Sequence, residues 1–553
     1  MQRIRRVWLI ALVGYVLLSA GWALALPTNA TYDEEDHALR AYAVASGQVY
    51  ADGDAVRVPR SLLPDNVDCT WERDDAKSAA CQRPISDQSR ALTPSTAARY
   101  SPVYYFPVGL PLLARPDHTG IVLARLVSGL LTGLLLASAF AVAAWLRRPL
   151  LLAGLALANT PMLFNLAGAI NPNGLEIAAG TSLWVALLGL LLAEETGPRL
   201  GDVADRAVQG MVLLASVSAA LLITVRQLGP LLLAISVLCC VLLARRDRVR
   251  ALLRRPDLRR AGGVLVAGAT VFFGVWTATS RIADPAPAPK VTHPMQLSLY
   301  DALHGVATIR VPFYARQLVG QFSYGETHLP GWLTWGWQGM VIAVVLAAAA
   351  LAGWRYRLVV LGLFGSLLGL LAVLELYFLP HSGWFSHSRY AMPAGVGLLL
   401  LPAFASQLPA FVPRLSAVPR RWLTRLPAVP DQWLTWMVRT VAVVTGLFGL
   451  VALAVVASRF QSGPAAPVNP FTGAWLPPTG PVPPLLALAG GATLIGTLTW
   501  RLAAQAALLN SAGRPTGPPE GEAATREPAS GSQGTDQAAT EQGAATEKEA
   551  ERA

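Results

Sequence analysis

Charged residues are scarce in this sequence. Only 14% of its 553 residues are charged, whereas 53% are hydrophobic. A soluble chain of this length needs more polar residues to cover its surface, so this composition excludes a soluble globular protein and indicates a bilayer. The net charge of +11 does not indicate nucleic-acid binding, because the basic residues lie between apolar runs, as in cytoplasmic loops. The expected partner is the lipid bilayer and not nucleic acid.

Cysteine is also rare, with only four residues in the chain. Cys239 and Cys240 are adjacent within an apolar run, whereas Cys69 and Cys81 lie in a long polar loop. Zinc is an alternative for the second pair, but no further cysteine and no flanking histidine completes four ligands there. In an oxidising exterior, Cys69 and Cys81 are predicted to form a disulfide.

Apolar runs of about 20 residues, long enough to span a bilayer as helices, recur along the chain. About twelve such runs are predicted, at 7–26, 119–146, 150–168, 176–193, 208–225, 229–244, 261–280, 337–353, 357–378, 390–409, 435–457 and 484–504. The pattern predicts an all-α polytopic membrane protein of about 12 transmembrane helices. The first run is expected to be an uncleaved anchor, although its Ala23-x-Ala25 ending also fits a cleaved secretory signal.

The basic residues predict the orientation. With the N-terminus in the cytoplasm, the cation-rich loops also fall there; one of them, 245–260, is explained by topology at least as well as by a lipid or partner site. Loops 27–118 and 281–336 then lie outside and belong to a transmembrane domain of residues 1–509. Residues 510–553 lack aromatic and large aliphatic side chains, which predicts a disordered cytoplasmic tail.

The loop at 281–336 carries a helical pattern of its own. Leu299, Leu303, Val306 and Ile309 recur at helical spacing, which predicts an interfacial helix. Pro312 is expected to end or kink this helix, because proline lacks the backbone N–H.

The first polar stretch after the N-terminal run is TYDEEDHALRAY, at 31–42. It opens the pattern D-E-x-x-H-x-x-R-A-Y-x-x-A-x-G, which is formed by Asp33, Glu34, His37, Arg40, Ala41, Tyr42 and Gly47. This pattern resembles the first outer loop of the bacterial membrane family called domain of unknown function 2142. The resemblance continues in order through SPVYY (101–105), Arg125 in LARLVSG, NPNG (171–174), QFSYGETHLPGW (321–332) and SRYAMP (388–393).

That family is similar to the GT-C superfamily of glycosyltransferases that use polyprenyl-phosphate sugars. The resemblance implies a GT-C-like domain with loop helices and inverting transfer of a sugar from a polyprenyl-phosphate donor to a cell-envelope glycan or glycolipid. The site would face the extracytoplasmic side of the bacterial cytoplasmic membrane, with both termini cytoplasmic. A transporter or flippase for lipid-linked glycans and a noncatalytic envelope-assembly subunit are the alternatives; the scarcity of charges inside the spans disfavours transport.

Such a transfer needs a base for the acceptor hydroxyl and cations for the leaving phosphate. Asp33 is the first candidate base and Glu34 the second, although carboxylates at a helix start are also ordinary dipole partners. Arg389, Arg226 and Arg125 are the candidate phosphate ligands, although an arginine near a helix end also snorkels to lipid phosphates. The candidate substrate-binding residues are His37, Arg40, Tyr42, Tyr104, Asn171, Asn173, Glu326, His328, His387 and Tyr390.

No cofactor is fixed by the spacing of these residues. A divalent cation, Mg²⁺ or Mn²⁺, stays an open alternative because many acids lie in the outer loops. Asn173 occupies the turn position where the resemblance implies an acid, so the second carboxylate is absent from that turn.

Overall fold

The structure is a computed structural model that describes residues 2–70, 77–193, 201–280, 294–323, 325, 327–351, 353–405 and 431–512. Residue contacts divide the chain into two units, 1–509 and 510–553. Almost all described residues belong to the first unit. The predicted disordered tail lies outside the described residues, apart from 510–512.

Helices dominate the described residues. The first ten are α1 (Gln2–Ala25), α2 (Glu34–Ala45), α3 (Pro102–Ala114), α4 (His118–Trp145), α5 (Pro149–Ala158), α6 (Pro161–Ala167), α7 (Pro172–Leu187), α8 (Gly201–Val225), α9 (Gly229–Leu243) and α10 (Arg246–Arg254). They are followed by α11 (Gly263–Thr279), α12 (Leu299–Gly305), α13 (Val311–Gln317), α14 (Gly331–Leu351), α15 (Trp354–Ser382), α16 (Met392–Gly395), α17 (Gly397–Ala405), α18 (Asp431–Ser462) and α19 (Val482–Ala512).

Shorter elements complete the described chain. Turns of π-helix lie at Leu188–Leu192, Leu258–Gly262 and Val306–Arg310, and turns of 3₁₀-helix at Arg60–Leu62, Ala79–Cys81 and Ser388–Tyr390. The strands are β1 (Ala55–Pro59), β2 (Arg90–Pro94), β3 (Gln321–Phe322) and β4 (Thr327–His328). They form two antiparallel pairs, with Ala55 opposite Pro94 and Gln321 opposite His328.

The apolar helices make this a multi-pass membrane protein. Within the described residues, eight helices are long and apolar enough to cross a membrane, and α5 with α6 adds a ninth if this bent pair is one span. The two helices of the pair meet at 64°, because Pro161 follows the break and disfavours helical geometry in the residue before it. The prediction of an all-α polytopic membrane fold is confirmed.

One predicted span is a shorter helix in the structure. The segment at 229–244 corresponds to α9, which has 15 residues and is about 22 Å long, less than the roughly 30 Å of a hydrocarbon core. The segment at 337–353 lies in α14, which has 21 residues. The segment at 390–409 contains α16 and α17, and its last four residues lie outside the described residues.

The first loop is built around α2. This helix packs against α3, where a Cβ at Gly109 would lie 2.0 Å from the carbonyl oxygen of Ala41. Only glycine allows so close an approach of the two backbones. Farther along the loop, a disulfide joins Cys69 to Cys81, as predicted. The strand pair β1–β2 belongs to the same loop, and β1 packs against α2.

The second loop contains the predicted interfacial helix, but Pro312 does not end it. Helices α12 and α13 are joined by the π turn, so helical structure continues from Leu299 to Gln317. The wider turn precedes Pro312 and accommodates its missing N–H, which an unbroken α-helix would need. Leu299 and Tyr300 remain 66% and 77% exposed, as expected of side chains that face lipid.

Candidate functional site

The centre of the site is an ion pair between two distant residues. An Nη2 hydrogen of Arg389 is donated to Oδ2 of Asp33 at 2.5 Å, across 356 positions of sequence. The arginine side chain is 1% exposed and the aspartate side chain 34% exposed. The carboxylate therefore faces both the buried guanidinium and the space outside.

Local geometry explains how Asp33 reaches this position. It precedes α2 with a φ of 57° in the left-handed region, and its side chain does not cap the helix. Aspartate and asparagine adopt this conformation more readily than other residues with a side chain, apart from histidine. The carboxylate is consequently directed at Arg389 and not at the backbone N–H groups of α2.

Aromatic rings surround the guanidinium of Arg389. Its Cζ lies 4.3 Å from the ring centre of Tyr32 and 5.3 Å from that of Tyr390. Among the described residues, its Nε and Nη1 have no hydrogen-bond partner although both atoms are buried. Buried, unpaired N–H groups of a cation are costly, so an anion at this position would offset that cost.

Arg226 also lies near Tyr390. Its Cζ is 5.6 Å from the ring centre of Tyr390 and 5.1 Å from that of Tyr100. Two arginines thus lie against one tyrosine ring. This arrangement brings together three predicted residues, Arg226, Arg389 and Tyr390.

Glu34 and Arg125 form a separate, fully buried pair. Nε and Nη2 of Arg125 donate to the two carboxylate oxygens of Glu34, each at 2.6 Å. The remaining hydrogens go to the carbonyl oxygens of Ala23, Leu26 and Pro27. All five donors of the guanidinium are therefore used.

The carboxylate of Glu34 is equally occupied. It also accepts hydrogen bonds from the backbone N–H groups of Asn29 and Ile170. Its side chain is 0% exposed and that of Arg125 1% exposed. These contacts use every hydrogen of the Arg125 guanidinium and hold both Glu34 oxygens inside the protein, a pattern typical of a buried structural ion pair.

Two other residues of the α2 motif are buried in packing positions. The guanidinium of Arg40 donates to the carbonyl oxygens of Tyr100, Gln48 and Val49. Burial lowers the pKa of Arg40 to about 10, which still leaves it charged at neutral pH. Tyr42 is 4% exposed and packs within the apolar core. Neither side chain reaches the Asp33–Arg389 pair.

His37 lies close enough to Arg226 and Arg389 to interact with both electrostatically. Its Nδ1 lies 2.8 Å from the hydroxyl of Tyr105, whereas its Nε2 is buried without a partner among the described residues. Tyr104, one residue earlier on α3, hydrogen-bonds the hydroxyl of Ser128 at 2.9 Å instead. The structure therefore separates these predicted residues, with His37 near the site and Tyr104 in the helix packing.

The NPNG turn contacts the backbone of Tyr32, the residue before Asp33. Nδ2 of Asn171 donates to the carbonyl oxygen of Tyr32 at 2.7 Å, and its Oδ1 accepts from the N–H of Asn173. The amide of Asn173 is fully buried, with neither atom hydrogen-bonded among the described residues. One turn later, Glu176 interacts electrostatically with Arg226. Helix α7 therefore places a carboxylate near Arg226, three residues after Asn173.

Helix α13 of the second loop meets the turn before α16 at the site. Nδ1 of His387 lies 2.7 Å from Nε2 of Gln317, and its ring centre lies 4.8 Å from that of Tyr32. His328 is exposed in the short β3–β4 hairpin. Glu326 lies outside the described residues.

A cleft of about 920 Å³ opens beside α2. Glu35 and Leu39 line it from the helix, and the Cys69–Cys81 bridge lines its far wall. No group of three or more His, Cys, Asp or Glu side chains suited to a metal ion occurs within the described ranges. Asp33 is paired with Arg389, and both oxygens of Glu34 accept hydrogen bonds from protein groups.

Comparison with known proteins identifies the family. The family model described as "Predicted membrane protein (DUF2142)" matches residues 16–398. The chain belongs to the DUF2142 family. The matched range of this DUF2142 protein includes Asp33, Arg226 and Arg389, and the resemblance inferred from the α2 motif is confirmed. No curated protein matches the chain.

Two solved structures of ArnT from Cupriavidus metallidurans also match. The structure bound to undecaprenyl phosphate has 13% identity and a TM-score of 0.39, covering 92% of this chain and 79% of the other. The apo structure has 14% identity and a TM-score of 0.37, covering 90% and 77%.

Several residues of the site were not predicted from sequence. They are Tyr32, Tyr100, Glu176, Arg310, Gln317 and Glu375. For the two glutamates a signal exists, because each is a lone acid in a long apolar run, and such residues are usually functional. Tyr32 and Gln317 carry no such signal, since an aromatic residue or a glutamine is ordinary in a loop.

Two histidines of the site, His37 and His387, predict a pH dependence of stability. Burial, together with Arg226 and Arg389, holds the pKa of His37 well below its ordinary value, and burial with Arg389 and Arg310 does the same for His387. Both stay neutral in the folded protein but take up protons when unfolded below about pH 6.5. Stability should therefore be insensitive to these groups above that pH and fall as the pH decreases below it.

The measurement is the thermal midpoint of the detergent-solubilised protein between pH 8 and pH 5. Replacing both histidines (His37→Gln with His387→Gln) should flatten the acid slope, to which each contributes at most about 1.4 kcal/mol per pH unit. His381→Gln is the matched control, because His381 is exposed. An unchanged slope in the double variant would refute the assignment.

Proposed function

We propose that this chain is a membrane glycosyltransferase. It would transfer a sugar from a polyprenyl-phosphate donor to a cell-envelope glycan or glycolipid on the extracytoplasmic side. The observation that carries the proposal is the buried Arg389, whose Nε and Nη1 lack hydrogen-bond partners among the described residues while its Nη2 contacts Asp33, whose side chain is 34% exposed. An acid and an anion site thus lie within one side-chain length of each other.

The proposed reaction is a single displacement. Asp33 takes the proton of the acceptor hydroxyl, and the acceptor oxygen forms a bond to the anomeric carbon. The bond from that carbon to the phosphate oxygen breaks, and its electron pair leaves with the polyprenyl phosphate. Attack opposite the leaving group inverts the anomeric centre.

The two arginines would stabilise the leaving group. Negative charge grows on the phosphate as the bond breaks, and preorganised cations lower the energy of that state. Arg389 offers two unpaired N–H groups, which suit a phosphate with paired donation. Arg226, across the Tyr390 ring, adds a second positive charge. The acceptor would approach Asp33 from its exposed side.

The test combines donor binding with transfer. Purified protein in lipid nanodiscs should bind undecaprenyl phosphate and transfer sugar from synthetic polyprenyl-phosphate sugars to cell-envelope extract. Arg389→Gln removes the charged donors, each worth roughly 1.5–3 kcal/mol, so affinity for undecaprenyl phosphate should fall about 10- to 100-fold. Arg389→Lys should recover only part of this loss, because an ammonium lacks the planar pair of donors.

Arg316→Gln serves as the control, because Arg316 is an exposed arginine on the neighbouring helix α13. It should bind undecaprenyl phosphate as the unmodified protein does. Equal affinity in Arg389→Gln would contradict the phosphate site. Movement of labelled lipid between leaflets, with no new glycosidic bond, would favour a flippase instead.

A further inference from the structure

Gln317 occupies an unusual position at the end of α13. Its side chain is fully buried, and its Nε2 donates to the hydroxyl of Tyr32 at 2.8 Å and to Nδ1 of His387 at 2.7 Å. Its Oε1 accepts from the backbone N–H of Ser388 at 2.7 Å and from the hydroxyl of the same residue at 3.1 Å. One amide thus uses both of its hydrogens and both of its lone pairs.

These partners are the direct neighbours of the ion pair. Tyr32 precedes Asp33 in the chain, and Ser388 precedes Arg389. The ring of Tyr32 also lies against the Arg389 guanidinium at 4.3 Å. Gln317 therefore fixes both the aromatic surface on which the guanidinium rests and the backbone from which its side chain starts.

The helix that carries Gln317 is itself anchored to the same turn. Nε of Arg310 donates to Oε1 of Glu375 on α15, and its Nη2 donates to the carbonyl oxygen of Ser386, both at 2.5 Å. The hydroxyl of Tyr314 donates to the same carboxylate at 2.6 Å, and so does the N–H of Phe385 at 2.8 Å. The helical segment that ends in α13 thus contacts this turn at two points. Arg310 and Tyr314 bind Ser386, and Gln317 binds Ser388.

The contacts also fix the direction of the Arg389 side chain. An arginine carries large rotamer entropy, and holding its backbone and one face of its guanidinium in advance lowers the cost of ordering it on a ligand. Without Gln317, Tyr32 and His387 would each lose a hydrogen bond, and the N–H of Ser388 would be left buried and unpaired. The turn would then sample other arrangements.

We propose that Gln317 is a positioning residue that holds Tyr32 and Ser388 so that Arg389 presents its free N–H groups to the donor phosphate. This proposal rests on the proposed function, since it concerns the same phosphate site. Gln317 itself does not touch the donor. It acts through Arg389, and its removal should therefore weaken phosphate binding as well as transfer.

The first test is Gln317→Ala in full-length protein in nanodiscs. Affinity for undecaprenyl phosphate should fall about 10-fold, an effect of the size of one charge-assisted hydrogen bond, while the protein remains folded. Gln321→Ala is a matched control, because Gln321 is also a buried glutamine of the same loop and donates to the carbonyl oxygen of Gly325. The control should bind like the unmodified protein.

The second test uses Gln317→Glu, which keeps the shape of the side chain. Protonated at pH 5, the carboxyl group can still donate one hydrogen and accept from Ser388, so affinity should lie within about threefold of the unmodified protein at that pH. Ionised at pH 8, the carboxylate donates no hydrogen bond and competes with the phosphate for the Arg389 guanidinium. The affinity of the variant, divided by that of the unmodified protein at the same pH, should therefore be about 10-fold lower or more than at pH 5. A residue that only supports folding would not produce a ratio that changes with pH.

The outcomes separate this proposal from the proposed function. Binding of undecaprenyl phosphate without transfer by the unmodified protein would refute the transferase, yet the affinities of the Gln317 variants would still test positioning. If Gln317→Ala does not fold, the pH dependence of Gln317→Glu decides. A folded Gln317→Ala with unchanged affinity, or a Gln317→Glu ratio that is flat with pH, would overturn the proposal.

Discussion

Asp33→Asn should reduce sugar transfer by about 10²- to 10⁴-fold, the range expected for loss of a general base. The fold should survive, because asparagine tolerates the left-handed φ of 57° at this position. Affinity for undecaprenyl phosphate should be equal or higher, since the Nη2 of Arg389 is no longer shared with a carboxylate. The measurements are single-turnover transfer and a binding isotherm on the same preparation.

Glu35→Gln is the control for this substitution. Glu35 lies two residues farther along, in the first turn of α2, where it lines the neighbouring cleft and hydrogen-bonds Asn29. Its transfer rate should stay within about twofold of the unmodified protein, which is the near-neutral effect typical of a surface change. Full activity in Asp33→Asn would eliminate Asp33 as the base, whatever the effect on binding.

The second large effect concerns stability. Glu34→Gln or Arg125→Met should lower the free energy of unfolding by about 3–5 kcal/mol, because each leaves the other group of a buried pair without its counter-charge. Arg125 ties the carbonyl groups that follow α1 to α4, so the bundle itself loses an anchor. Equilibrium unfolding in mixed detergent and SDS measures the difference.

An exposed ion pair provides the comparison. Arg115 and Asp117 are 59% and 37% exposed at 2.9 Å, so Arg115→Gln should change stability by less than about 1 kcal/mol. Transfer per folded molecule should remain measurable in Glu34→Gln, in contrast to Asp33→Asn. If Glu34→Gln were fully stable and inactive instead, the carboxylates would exchange the roles assigned to them.

Much of the fold follows from hydrophobic runs. Their length predicts the membrane helices, and within the described part of the chain the helix at 229–244 is shorter than a span requires. The π turn before Pro312 was not foreseeable, because a pattern of apolar residues does not reveal an extra residue in a helical turn. Elements dictated by local sequence are therefore predicted better than irregular ones.

The candidate site was predictable only in part. The resemblance singled out Asp33 and Arg389, which the structure brings into contact. It also grouped Glu34 and Arg125 with them, although these two residues pair with each other, because sequence gives no measure of which charges will be buried together. Gln317 was missed since its partners lie 285 and 70 positions away, beyond any periodic signal.

The separation of 356 positions between Asp33 and Arg389 has a consequence for biosynthesis. While the ribosome is still making α15, the nascent chain already carries the aspartate but lacks its arginine. The ion pair can form only after the turn before α16 has emerged, so every earlier intermediate carries the Asp33 carboxylate without its counter-charge. Chains truncated before that turn would lack this contact altogether.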